Sequence, residues 1–150
     1  MAPATTVLEI EAVDFRDSRG LIRPRYTWQG LNISPEVAWT ESPEGTITQA
    51  VLMDDLDAPG GNFTHWLLFN VPLATNPFLT AAGPDLDELP LGAKQGLNSF
   101  GSVGYRGPCP PVGSGLYRCV INIYALDTEL GLLPRATRDD VLGFIDGHII

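Results

Sequence analysis

The chain has 150 residues, 44% of them hydrophobic, and a formal charge of −9, with Lys94 and eight arginines as its only fixed side-chain cations. That composition supplies one buried core, and one domain is expected over residues 1–150; it lacks the basic footprint that a nucleic acid or an anionic membrane would need. No apolar stretch approaches the roughly 20 residues that span a bilayer, and Met1-Ala2-Pro3-Ala4 has neither part of a secretion signal, so no membrane insertion and a cytoplasmic location are expected.

Sixteen glycines and 13 prolines are spread along the chain, which predicts many short strands joined by tight turns. Leu8, Ile10 and Ala12 alternate with Glu9 and Glu11, the pattern of a half-buried strand. Asp17-Ser18-Arg19-Gly20 then predicts a turn, followed by an extended piece from Leu21 to Tyr26. Ser34-Pro35-Glu36 reads as a single helical turn, with Ser as cap and Pro at the first helical position. The runs Gln49 to Met53 and Trp66 to Val71 are continuously apolar, as in central strands covered on both faces. From Ala74 to Lys94 the residues lack periodicity and predict a long surface loop. Leu116 to Leu126 alternates again, with Tyr117, Cys119, Ile121, Ile123 and Ala125 on one face and Arg118, Asn122 and Tyr124 on the other. A helix is predicted near the end. Thr137 caps it, Asp139 and Asp140 suit its positive N-terminus, and Val141, Leu142 and Ile145 form its stripe up to Gly147. Strands first and a helix late make the chain mainly β with antiparallel pairing.

Three segments carry residues that a bare fold would not require. Asp54-Asp55-Leu56-Asp57-Ala58-Pro59-Gly60-Gly61 follows an apolar strand directly. It reads as a strand-to-loop exit, a solvated turn in the plain reading; the alternative is a metal site from Asp55, Asp57 and a histidine, weakened by the lack of a second histidine nearby in sequence. His65 opens an apolar run, where an imidazole is either a satisfied structural group or a hydrogen-bonding partner for a ligand. Residues 101–115 hold five glycines and three prolines, too many for regular structure. Such a loop is either a plain connection or a stiff wall whose exposed backbone N–H groups bind an oxyanion. Cys109 and Cys119, ten apart, are expected to be two reduced thiols, with a disulfide as the alternative.

Taken together, these segments resemble the phosphatidylethanolamine-binding and Raf-kinase-inhibitor-like family in its bacterial form. Tyr26-Thr27, Gly30, Asn32-Ile33-Ser34-Pro35 and Trp39 follow its N-terminal signature. Asp55-Leu56-Asp57-Ala58-Pro59 is similar to its Asp-Pro-Asp-Ala-Pro motif, and His65, Trp66 and Asn70 to its His-Trp…Asn strand. Asn98-Ser99-Phe100-Gly101 and Gly104 through Pro111 resemble its Gly-Pro-Cys-Pro-Pro region. Tyr124-Ala125-Leu126-Asp127 and Gly147-His148-Ile149 also fit, so the likeness runs from Phe15 to the end. The resemblance implies two antiparallel β-sheets with a small pocket at one end for a phosphate or carboxylate. It implies Asp55, Asp57, Pro59 and His65 on one side of that pocket and Gly107, Pro110 and Pro111 on the other.

The chain departs from the family pattern at Leu56 and Trp28, and above all at two inward strand positions. Tyr117 stands where a second pocket histidine is expected, and Cys119 where a tyrosine is expected. Fewer anion donors and a larger, more apolar lining follow. The resemblance therefore implies a small-molecule-binding protein for a phosphate- or carboxylate-like or other small polar ligand, with a homodimer as the expectation from bacterial relatives. The alternative is an enzyme with a remodelled pocket, a cyclase or isomerase acting on a polyketide-like substrate in bacterial biosynthesis. For that reading Cys119 is the candidate nucleophile, and His65, Asp55 and Tyr117 are candidate catalytic groups. Cys119 reads equally well as a small apolar filler. No cofactor and no metal ion are expected.

Overall fold

The two continuously apolar runs become the central strands of the molecule. A computed structural model of the protein describes residues 10–13, 18, 21–27, 30–39, 42–56, 63–73, 92–107 and 119–150. Strands β1 (Ile10–Val13) and β2 (Glu36–Trp39) pair antiparallel as a two-stranded sheet. Strands β3 (Thr48–Asp55), β4 (Phe63–Val71), β5 (Lys94–Gln95) and β6 (Cys119–Leu126) form an antiparallel sheet in the order β5-β4-β3-β6. Among the described residues one α-helix, α1 (Arg138–Ile145), follows the strands. The mainly β, antiparallel architecture with a late helix is thus as the sequence pattern predicts, and the two sheets are as the resemblance implies.

Every residue of β3 is buried, because each face of the larger sheet meets its own apolar layer. Val51 and Met53 point toward Val37, Trp39, Tyr26, Trp66 and Tyr105, which fill the space on the β2 side. Ala50 and Leu52 alternate to the other face, where Leu67 and Phe69 pack against Val141 and Ile145 of the helix. Polar ends of the buried aromatics find partners: Trp39 Nε1 donates to Gln49 Oε1 at 2.6 Å, and Trp66 Nε1 to Gln95 Oε1 at 3.0 Å.

One irregularity matters for the site. Met53 faces Trp66 while Asp54 faces Thr64, so β4 carries one extra residue, His65, with no counterpart on β3. Such a β-bulge turns a side chain away from the simple alternation of the strand.

The helix forms as predicted. Asp140 N donates to Thr137 Oγ1 at 3.1 Å, and Thr137 N donates back to Asp140 Oδ2 at 3.0 Å, closing a capping box. The backbone bond from Thr137 holds the Asp140 carboxyl below the usual aspartate range. Gly147 turns the chain after it at φ 81°.

Three expectations need correction. The piece from Leu21 to Tyr26 is extended only to Arg23; Pro24–Tyr26 is a 3-10 turn, since Pro24 presets the turn and the Thr27 N–H and hydroxyl both donate to its carbonyl. The segment Ser34-Pro35-Glu36 opens no helix. Glu36 begins β2, because Val37 and Trp39 gain more by burial in a strand than a single helical turn would return. Lys94, placed in the surface loop, instead forms β5 with Gln95 opposite Phe69 and Leu68. Most of that loop, residues 74–91, lies outside the described residues.

Candidate functional site

Strand register brings the first nominated groups together. Asp55, the last residue of β3, lies directly across from Cys119, the first of β6. His65 reaches the same end from the bulge on β4. One carboxylate oxygen of Asp55, one ring nitrogen of His65 and Sγ of Cys119 lie within 4.8 Å of one another. Asp55 and His65 are each 3% exposed, and Cys119 is half-buried. Cys119 is in no disulfide.

The imidazole is held by the chain on its far side. His65 Nδ1 lies 2.7 Å from the Arg106 carbonyl oxygen, and Arg106 N donates to the His65 carbonyl at 3.0 Å. A carbonyl only accepts, so Nδ1 carries the proton and Nε2 of the neutral ring keeps its lone pair. Among the described residues, Nε2 is the one buried side-chain polar atom without a hydrogen-bond partner. Burial pulls the His65 pKa below its ordinary value; the Arg106 carbonyl and then the Asp55 and Asp54 carboxylates oppose that shift. The rings of Phe63 and Phe100 lie 5.1 and 6.2 Å from the imidazole, and Phe100 is exposed.

Neighbouring Asp54 points the other way. Its Oδ2 pairs with Arg138 Nη2 at 3.2 Å and its Oδ1 accepts from Thr64 Oγ1 at 2.8 Å, which ties the sheet to the helix. Strand alternation thus divides two adjacent carboxylates between a structural ion pair and the candidate site.

Gly107, which the resemblance implies for the opposite wall, directly follows Arg106 in the chain. Its N–H donates to Asn32 Oδ1 at 2.6 Å, and a Cβ there would stand 2.1 Å from the Tyr26 carbonyl oxygen. The glycine is required by this close backbone approach. Asp57, Pro59, Pro110, Pro111 and Tyr117 lie outside the described residues, as does Cys109. Other motif residues prove architectural. Asn70, at φ 55°, makes two bonds to the Leu130 backbone. Asp127 N donates to the His148 carbonyl and its carboxylate meets His148 Nδ1 at 2.8 Å, joining two motifs far apart in sequence.

Sequence reasoning gave no role to Arg106, Phe63 or Phe100. Arg106 acts through its backbone carbonyl, which leaves no trace in residue type, and nothing in sequence spacing sets Phe63 and Phe100 beside His65. A separate cleft of about 390 Å³, lined by residues including Thr48, Asn70, Lys94 and Glu129, opens at the opposite end of β3 and β4. It contains none of the nominated site residues. Among the described residues no helix is long and apolar enough to cross a membrane.

The class is now defined: a mainly antiparallel β protein, closed by a late helix, with a largely buried Asp-His-Cys cluster, Cys119 half-buried, at one end of its larger sheet. The chain belongs to the phosphatidylethanolamine-binding protein family, whose model matches residues 14–150. It is similar to a UPF0098 protein of Methanothermobacter thermautotrophicus, 45% identical over 134 residues that cover 89% of this chain and 87% of that one. A UPF0098 protein of Aquifex aeolicus is 41% identical, with 96% and 83% covered. Among solved structures, Escherichia coli YbcL, described as a member of the mammalian PEBP family, superposes with a TM-score of 0.82 at 30% identity and covers 95% of this chain and 92% of its own. None of these descriptions names a reaction.

Proposed function

We propose that the chain is a binding protein for a small polar molecule held at the Asp55–His65–Cys119 end of the sheet. The observation that carries this reading is His65 Nε2, buried with its lone pair unmet, on a residue whose ring clusters with the Asp55 carboxylate. Leaving such an atom unsatisfied costs roughly 1–3 kcal/mol, a debt that a ligand's hydrogen-bond donor relieves. Family membership supports ligand binding in general terms.

The tautomer refines the ligand's chemistry. A neutral imidazole presenting Nε2 accepts, as does the Asp55 carboxylate, so the cluster favours a molecule that brings a donor. A phosphate or carboxylate fits when it carries its own proton or when His65 takes one up. Either route couples anion binding to one proton.

The test is an NMR titration of the His65 ring with a phosphomonoester and, separately, with acetate in chelator-treated protein. The His65 signals should shift at millimolar ligand, and affinity should rise by up to about tenfold per pH unit as pH falls toward 6. Unmoved His65 signals at that concentration would refute the reading.

A further inference from the structure

The geometry points to a second use of the same cluster: we infer that Asp55, His65 and Cys119 form a three-ligand site for a dication of the zinc class, with a fourth position open. The sequence offers Asp55, Asp57 and a histidine as a metal site, weakened by the lack of a second histidine nearby. The third donor instead arrives across the sheet, where register sets Cys119 opposite Asp55.

Three observations converge on it. The ligand atoms lie within 4.8 Å of one another. Around tetrahedral zinc, with bonds of about 2.0–2.3 Å, ligand atoms stand about 3.3–3.7 Å apart, so closure by about 1 Å would bring all three into bonding distance of one ion. The three residues sit on separate strands, which leaves that closure to side-chain rotation. Next, His65 Nε2 is buried and unpartnered, the state of a nitrogen set aside for a Lewis acid. Finally, Nδ1 donates to the Arg106 carbonyl at 2.7 Å, the outer hydrogen bond that metal-bound histidines make and that fixes the ligating tautomer.

The donor set selects the ion. Thiolate with imidazole and one carboxylate suits zinc and its neighbours, whereas calcium and magnesium take oxygen ligands. On binding, the ion displaces the Cys119 thiol proton to solvent, so affinity tightens as pH rises. The half-buried Cys119 side supplies an entry path. An oxygen of a phosphate or carboxylate could then take the fourth position, where the metal supplies the positive charge that these side chains lack.

The inference stands without the ligand reading above, because zinc alone is the probe. Chelator-treated protein is titrated with zinc chloride by calorimetry and with Co²⁺ by absorption. A single ion per chain and a thiolate-to-cobalt charge-transfer band in the near ultraviolet are expected. Cys119→Ser keeps the side chain's size and the fold, as circular dichroism would verify. It should abolish the band and weaken zinc binding by about 100-fold or more, beyond the loss that an outer-shell partner alone commands. Absence of binding at micromolar zinc, or binding that Cys119→Ser leaves within a few-fold, overturns the site. The anion titration uses metal-stripped protein, so either proposal can fail while the other stands.

Discussion

At His65 a buried neutral ring faces a carboxylate, and the balance is set by desolvation, which lowers its pKa against the Arg106 carbonyl and Asp55. Between its folded pKa and the unfolded value of about 6.5, the unfolded state holds more protons than the folded one. Stability should therefore be full above about pH 6.5 and fall as pH drops through the folded value. Urea midpoints measured from pH 8 down to pH 5 should show that decline in the native chain, with a shallower decline in His65→Gln; parallel curves would assign the loss to other groups. Gly107 tests a different constraint. A Cβ there would lie 2.1 Å from the Tyr26 carbonyl oxygen, a backbone atom that cannot rotate away. Gly107→Ala should cost at least about 1–3 kcal/mol in urea unfolding, the range of overpacked cores. A near-neutral result would mean that the Tyr26–Thr27 backbone yields easily.

Elements were legible where their determinants are local. The helix α1 is written in adjacent residues: Thr137 and Asp140 close the box, and Val141 and Ile145 supply the buried stripe. The capping hydroxyl should be worth about 1 kcal/mol, so Thr137→Ala should lower the thermal midpoint. Gly143 offers the opposite case, since a Cβ there meets nothing within 4 Å and its φ lies outside the left-handed range. Gly143→Ala should stabilise the chain by roughly 0.5–1 kcal/mol, and a destabilised variant would show that the helix is strained there. Strand β2 was misread for the converse reason. The cap pattern Ser34-Pro35-Glu36 is genuine local evidence for a helix start, but Val37 and Trp39 are decided by burial against the neighbouring sheet. The bulge at His65 was equally invisible, because an extra residue exists only relative to the paired strand.

On the scale of the whole molecule, apolar runs and turn residues carry the mainly β, antiparallel class and the family motifs imply the two sheets, whereas the site depends on register. Asp55 and His65 stand out by type and motif, but their adjacency to Cys119 is a property of three strands aligned together. Charge acts on the molecule as a unit as well. The formal charge of −9 places like charges closer in the folded chain than in the unfolded one, so self-repulsion opposes compaction. Screening at about 0.1 M salt shortens electrostatic reach to about 10 Å and should relieve this repulsion first. The attractive pair that holds the helix to the sheet is protected, because the Asp54 side chain is only 4% exposed beside Arg138. Sodium chloride raised from about 10 mM to about 150 mM at pH 7.5 should therefore increase the urea midpoint. Chloride is the proper salt, since sulfate would stabilise through exclusion from the surface regardless of charge. A midpoint that falls with chloride would show that attractive pairs, rather than net repulsion, dominate the electrostatics of this fold.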